Sequence, residues 1–270
     1  MTFGWNVLWS AVAVVVLVSA LFAVAVRRKR FDLIDSFWGP GFAVVAVLTL
    51  VQAVPAGESA RAVPAGESAR AVLVAALTVV WGVRLGWHIH ARNRKKSEDQ
   101  RYVDMYRRAR GNPVAKMYRV YLVQAAIMVL VSLPVQFAAY RDDPLGVFDV
   151  LGVVVWAVGF AFEAVGDWQL ERFRADPANR GRVMDQGLWR YTRHPNYFGD
   201  ACVWWGLFLF ALPDGFLVVV SPVVMTLLLV KGSGKPLLEK DIVRRRPGYR
   251  EYVERTSGFF PLPPRGGKVG

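Results

Sequence analysis

The chain has one cysteine, Cys202, and three histidines, His88, His90 and His194, in 270 residues. A single cysteine excludes an intrachain disulfide and a cysteine-rich zinc or iron–sulfur centre. His88 and His90 are two apart, so a helix would place them on different faces. No metal site is expected. Acidic residues are also scarce: 21 Asp and Glu face 34 Lys and Arg, for a net charge of +13. No Gly-x-Gly-x-x-Gly or P-loop pattern occurs, which removes the Rossmann and Walker routes to a nucleotide.

What is present is apolar. Hydrophobic residues make up 54% of the chain, against about 45–50% in soluble proteins. The charges are clumped, leaving long stretches nearly free of them. This pattern excludes an ordinary soluble globule and predicts an all-α, polytopic integral membrane protein. Seven apolar segments can be drawn, at 6–26, 37–54, 71–89, 119–139, 147–166, 200–213 and 215–231, with Pro213-Asp214-Gly215 as a turn between the last two. The first is followed by Arg27-Arg28-Lys29-Arg30 and lacks a basic leader, unlike a cleavable signal. The loops 27–30, 90–119 and 167–196 and the tail after 231 are basic, whereas 54–70 is neutral and 140–146 is net −1. The positive-inside rule then gives seven helices, N-terminus outside and C-terminus cytoplasmic. The basic residues border apolar runs, which argues for a bilayer partner and against nucleic acid. The nine residues VPAGESARA occur twice in tandem over 54–71; one duplication makes no solenoid and reads as a tolerant outside loop.

Polar residues inside spans are costly and mark candidate sites. Asp35 stands at the mouth of the second segment, where a helix N-cap is the bland alternative. Arg84 lies in the third. Glu163 and Asp167 end the fifth, four apart and so on one helical face. The stretch 167–200 is the densest: Arg172, Arg174, Arg180, Arg182, Arg190 and Arg193 suit phosphate oxygens. Asn179, Gln186, Asn196 and Asp200 suit amides or ribose hydroxyls, and Trp189, Tyr191 and Tyr197 suit rings. A soluble, anionic, ring-bearing ligand would fit this set, and so would anionic lipid headgroups. His194-Pro195 reads as a helix start with proline in its first turn. The segment 97–102 and the tail around Glu239, Tyr249 and Tyr252 are read either as solvated loops or as elements closing over the same site.

The run Gly187-Leu188-Trp189-Arg190-Tyr191-Thr192-Arg193-His194-Pro195-Asn196-Tyr197-Phe198-Gly199-Asp200 resembles the signature of the steroid 5-alpha-reductase-like family. More closely it is similar to the bacterial branch known as DUF1295. The resemblance extends to Asp35-x-x-Trp38, Glu98-Asp99-x-Arg101-Tyr102, Glu163-x-x-x-Asp167-x-Gln169 and Glu239 with Tyr249-x-x-Tyr252. It implies a single membrane domain over 1–270, with substrate-side helices in 1–118 and a cofactor-binding half in 119–270. It also implies NADPH as cofactor, taken from the cytoplasm of a bacterial inner membrane. The cofactor contacts it implies are Glu163, Asp167, Arg174, Arg182, Arg193, His194, Asn196, Tyr197, Asp200 and Glu239. The implied reaction reduces a carbon–carbon double bond in a lipid, steroid-like or isoprenoid substrate. In the steroid enzymes an acid on the second helix pairs with a tyrosine on the third. Asp35 takes the place of that acid, but the third segment has no tyrosine, so Arg84 and Tyr102 both stand as candidate donors. Asp200 departs from the family's usual glutamate and keeps its charge.

The Arg-His-Pro-x-Tyr core is also similar to that of isoprenylcysteine carboxyl methyltransferases, which use S-adenosylmethionine. The arginine density favours the reductase. A non-enzymatic lipid-binding protein is the third reading.

Overall fold

The computed structural model describes residues 2–54, 65–94, 96–232, 246 and 248–265, with the side chains of 65–68 left aside. Among these residues there is no strand; Thr192 and Ser257 form an isolated bridge. The helices are α1 (Phe3–Arg28), α2 (Leu33–Ala53), α3 (Ala65–Asn93), α4 (Gln100–Arg107), α5 (Pro113–Val131), α6 (Leu133–Ala138), α7 (Val147–Ala175), α8 (Pro195–Leu209), α9 (Val220–Val230) and α10 (Tyr249–Arg255). Five segments are long and apolar enough to cross a membrane: Phe3–Arg28, Leu33–Ala53, Ala69–Asn93, Pro113–Ala138 and Val147–Ala175. The chain is thus an integral membrane protein. The last two expected spans are shorter. α8 has 15 residues, about 22 Å of helix against a hydrocarbon core of roughly 30 Å.

The chain divides into two compact units, residues 1–149 with 210–221, and 150–209 with 222–270. In the first, α2 and α3 cross through glycine. A Cβ on Gly39 would collide with the Gly82 carbonyl, and one on Gly86 with the Pro40 ring. Small residues let helix backbones approach where lipid offers no hydrophobic drive. Arg27 and Arg28 fill the last turn of α1, where positive charge complements the helix dipole. Asp99 caps α4 by accepting from the Arg101 amide, and Asn112 caps α5 by accepting from the Val114 and Ala115 amides. In the second unit α8 rests on α7, again through glycine: a Cβ on Gly199 would lie 2.5 Å from the Glu163 amide nitrogen.

The tandem repeat is not all loop. Its second copy enters α3, and Arg70 there is fully buried. The Arg70 fork binds both Asp149 oxygens at 2.7 and 3.0 Å, Asp143, and the carbonyls of Asp143 and Pro144. Residues 55–62 of the first copy fall outside the described residues.

Candidate functional site

The first cluster grows from the start of α2. Its N-cap is Asp32, and Asp35 lies within the first turn, so the N-cap expectation for Asp35 is corrected. A carboxylate there is favoured by the unpaired amides of the helix start. The segment 97–102, expected as solvated loop or lid, is docked onto this helix start. Glu98 accepts from the Phe31 amide at 2.6 Å, and Asp32 accepts from the Asp99 amide and from the Arg30 fork. This anchoring delivers two side chains to Asp35. The Tyr102 hydroxyl donates to Oδ1 at 2.6 Å, and Arg101 Nη2 donates to Oδ2 at 3.2 Å. Arg101 also holds Asp99 at 3.0 Å. Tyr102 is buried. Burial first, and then the Asp35 charge, push its hydroxyl well above the usual phenol range, so it is a neutral donor at any physiological pH. Burial alone would raise Asp99, but its hydrogen bonds from Arg101 outweigh that and hold it below the usual carboxylate range.

Tyr102 and Arg84 do not stand alike. Gly82 and Gly86 face α2, and Arg84 lies midway between them in sequence. At 100° per residue its backbone position is on the opposite face of α3. The acid of the second helix therefore has its tyrosine from α4, not from the third segment. The pattern Asp35-x-x-Trp38 brought in Trp38 but not its partner Gln124: the Trp38 indole N–H donates to Gln124 Oε1 at 2.8 Å, beside this pair. A glutamine inside an apolar span was the available signal.

The second cluster lies in the other unit. Glu163 and Asp167 are buried on α7. Pro195 opens α8, and Asn196 Nδ2 donates to Asp167 Oδ1 at 3.1 Å. The helix start puts Asn196 and Asp200 one turn apart. The His194 ring stacks on Tyr197 with centroids 5.3 Å apart. Arg193 is buried, and its Nη1 donates to the carbonyls of Val253 and Thr256 at 3.0 and 2.7 Å. It holds the tail, as do Thr192, which donates to the Phe259 carbonyl, and Tyr252, which donates to the Trp189 carbonyl. The tail around α10 is thus packed on the signature run and is not a solvated extension.

Beyond the end of α7 a cavity of about 300 Å³ is lined by Arg174, Arg180 and Arg246, with Phe173, Asp176 and Asn179 among its other walls. Arg182 is exposed, and its carbonyl accepts from Arg246. Asn179 donates to the Phe173 carbonyl at 3.1 Å, which shapes the wall. Glu239 lies outside the described residues. Among the described residues no group of His, Cys, Asp and Glu could hold a metal ion.

The family model described as "Protein of unknown function (DUF1295)" matches residues 21–256. The chain belongs to this family. It is also 24% identical over 218 residues to an uncharacterized protein of Schizosaccharomyces pombe, an alignment covering 70% of this chain. The chain spans 63% of the length of that relative. No solved structure matches. The family match takes in both clusters, from Asp35 to Tyr252.

Proposed function

We propose that this protein is a membrane reductase that saturates a carbon–carbon double bond conjugated to a carbonyl in a membrane-dissolved lipid or isoprenoid, with NADPH as reductant. The observation that carries this reading is the Tyr102 hydroxyl, a buried neutral donor held on Asp35. When bound, NADPH supplies the hydride. The protein's part at the substrate is to receive charge as it develops on the carbonyl oxygen, which a preorganised donor does best. Tyr102 is that donor. Its single proton must leave Asp35 Oδ1 to reach a substrate oxygen, and Arg101 on Oδ2 keeps the carboxylate paired when it does.

The second unit has donors that fit the cofactor. Three guanidinium groups around one cavity suit phosphate, which arginine forks bind bidentately. Asn196, oriented by Asp167, suits an amide or hydroxyl. We assign Arg174 and Arg182 to the phosphates, with Arg180 and Arg246, and place Asp200, Tyr197, His194 and Glu163 around Asn196. Arg193 is left out because it holds the tail. The basic loops support seven spans, with the N-terminus outside and the cofactor taken from the cytoplasm of a bacterial inner membrane.

The test is thermal stability of the detergent-purified protein with NADPH, NADH or S-adenosylmethionine. A ligand of the folded state raises stability by mass action. A shift with NADPH, lost in Asn196→Ala and Arg174→Ala, supports the reading. A shift with S-adenosylmethionine alone overturns it in favour of a methyltransferase.

A further inference from the structure

We propose that the ends of α1 and α4 form a docking surface for anionic phospholipid headgroups, and that headgroups bound there hold α4, and so Tyr102, in place. The second half rests on the reading of Tyr102 as the donor to substrate; the surface itself does not. The acids at this end of the first unit are engaged within the protein. Glu98 accepts from the Phe31 amide, Asp32 from the Arg30 fork and Asp99 from Arg101. Asp104 pairs with Arg108 at 3.6 Å. The remaining cations point the other way. Arg27, Arg28 and Lys29, at the end of α1, are exposed, as are Arg107 and Arg110, at and just beyond the end of α4. Among the described residues none of these five forms an ion pair.

Aromatic contacts bring the two basic ends together. The Tyr106 ring stacks on Phe31 with centroids 5.5 Å apart, and Phe31 lies 6.0 Å from Phe22 of α1. Phe31 follows Lys29 by two residues, and Tyr106 directly precedes Arg107. The five cations therefore border one aromatic ledge, on which Tyr106 is 37% exposed. Tyrosine sits at headgroup level in membrane proteins, and an amphipathic helix with a basic outer face lies in that plane. α4 has this form: Tyr102 is buried, whereas Arg107 and Arg108 are exposed. Charge complementarity selects the partner. Each Lys or Arg near an anionic leaflet adds to the attraction, and a leaflet without net charge offers no equivalent. The link to Tyr102 is the helix itself. Tyr106 is one turn beyond Tyr102, so the two rings leave α4 on one side. One reaches Asp35 at 2.6 Å and the other reaches Phe31. Asp99 caps the start of α4, and headgroups on Arg107 and Arg110 fasten its far end. A leaflet that holds this end favours the arrangement in which Tyr102 meets Asp35.

The first test needs no substrate. The detergent-purified protein is melted with short-chain phosphatidylglycerol, with phosphatidylcholine of the same chain length, or with inorganic phosphate. Phosphatidylglycerol should raise the melting temperature by mass action, and the shift should shrink in high salt. Two double variants locate the effect, each removing two exposed cations. Arg107→Gln with Arg110→Gln should lose most of the shift. Arg172→Gln with Lys231→Gln, in the other unit, should keep it. Equal shifts with the two lipids overturn the proposal, and so does a phosphatidylglycerol shift that survives in the Arg107 and Arg110 variant. A shift with phosphate alone overturns the assignment to lipid and leaves a site for free anions. The second test is NADPH oxidation with an enone lipid in vesicles of phosphatidylcholine, with or without phosphatidylglycerol. The anionic lipid should raise turnover about threefold or more in the wild type and not in the Arg107 and Arg110 variant, with the KM for NADPH unchanged. Equal turnover in the two vesicles refutes the link to Tyr102. A lipid-specific shift in a protein that never oxidises NADPH keeps the docking surface and refutes the reductase reading.

Discussion

Tyr102→Phe removes one oxygen from a buried, tightly paired position, and the structure sets what should follow. The lost contact is an O–H···O⁻ bond of 2.6 Å to Asp35, in the short range of charge-assisted bonds. Such a bond contributes about 1.5–3 kcal/mol. Asp35 keeps Arg101 at 3.2 Å, and its side chain is 20% exposed. The variant should therefore be folded, with stability reduced by no more than that amount. Catalysis should suffer more. Removing one preorganised donor from a developing oxyanion costs about 100- to 1,000-fold in turnover, or roughly 3–4 kcal/mol. The assay is NADPH oxidation by purified protein with an enone lipid, beside a thermal-stability shift with NADPH alone. The expected result is a collapsed kcat with an unchanged NADPH-induced shift. Turnover of Tyr102→Phe within about threefold of wild type would falsify the assignment of the donor.

Arg70→Met should cost about 3–5 kcal/mol, because it leaves the buried Asp149 carboxylate without its fork; a melting curve reads this, and NADPH binding should be unaffected. Stability should fall in acid. For Asp143, burial alone would raise the pKa, but hydrogen bonds and charge from Arg141 and Arg70 hold it below the usual range, as Arg101 does for Asp99. Their stabilisation is present above the unfolded carboxylate value of about 3.9 and is lost as pH falls through the lower folded values. Melting curves from neutral pH down to about pH 3 should show that fall, and Asp143→Asn should flatten it.

The membrane character of the chain was legible because spans are set by length and apolar content, which are local. The start of α8 at Pro195 was equally legible, since proline is tolerated in a first turn and restricts the residue before it. The shortness of the last two segments, 200–213 and 215–231, was legible from their length; what an apolar run does not record is where a helix tightens or turns, as it does at Phe216–Val219. The docking of 97–102 was also hidden. Its residues are polar and would suit water, and only the approach to α2, with the Phe31 amide and the acid at Asp32, gives them partners. Arg193 shows the converse. An arginine in a basic run reads as an anion ligand, yet the carbonyls at the end of α10, some sixty residues away in sequence, take it. Asp35 and Tyr102 were each visible as candidates, whereas their pairing depends on a fold in which α4 returns to α2.

The most direct test of the reductase reading uses NADPH carrying deuterium on the transferable position of the nicotinamide. The purified protein is incubated with an enone lipid in detergent or vesicles, and the product is read by mass spectrometry. The account predicts a saturated lipid with one deuterium at the former β-carbon, formed by wild type and nearly absent with Tyr102→Phe. A lipid that returns unsaturated and unlabelled, while the same protein moves a methyl group from S-adenosylmethionine to an acceptor, would contradict it.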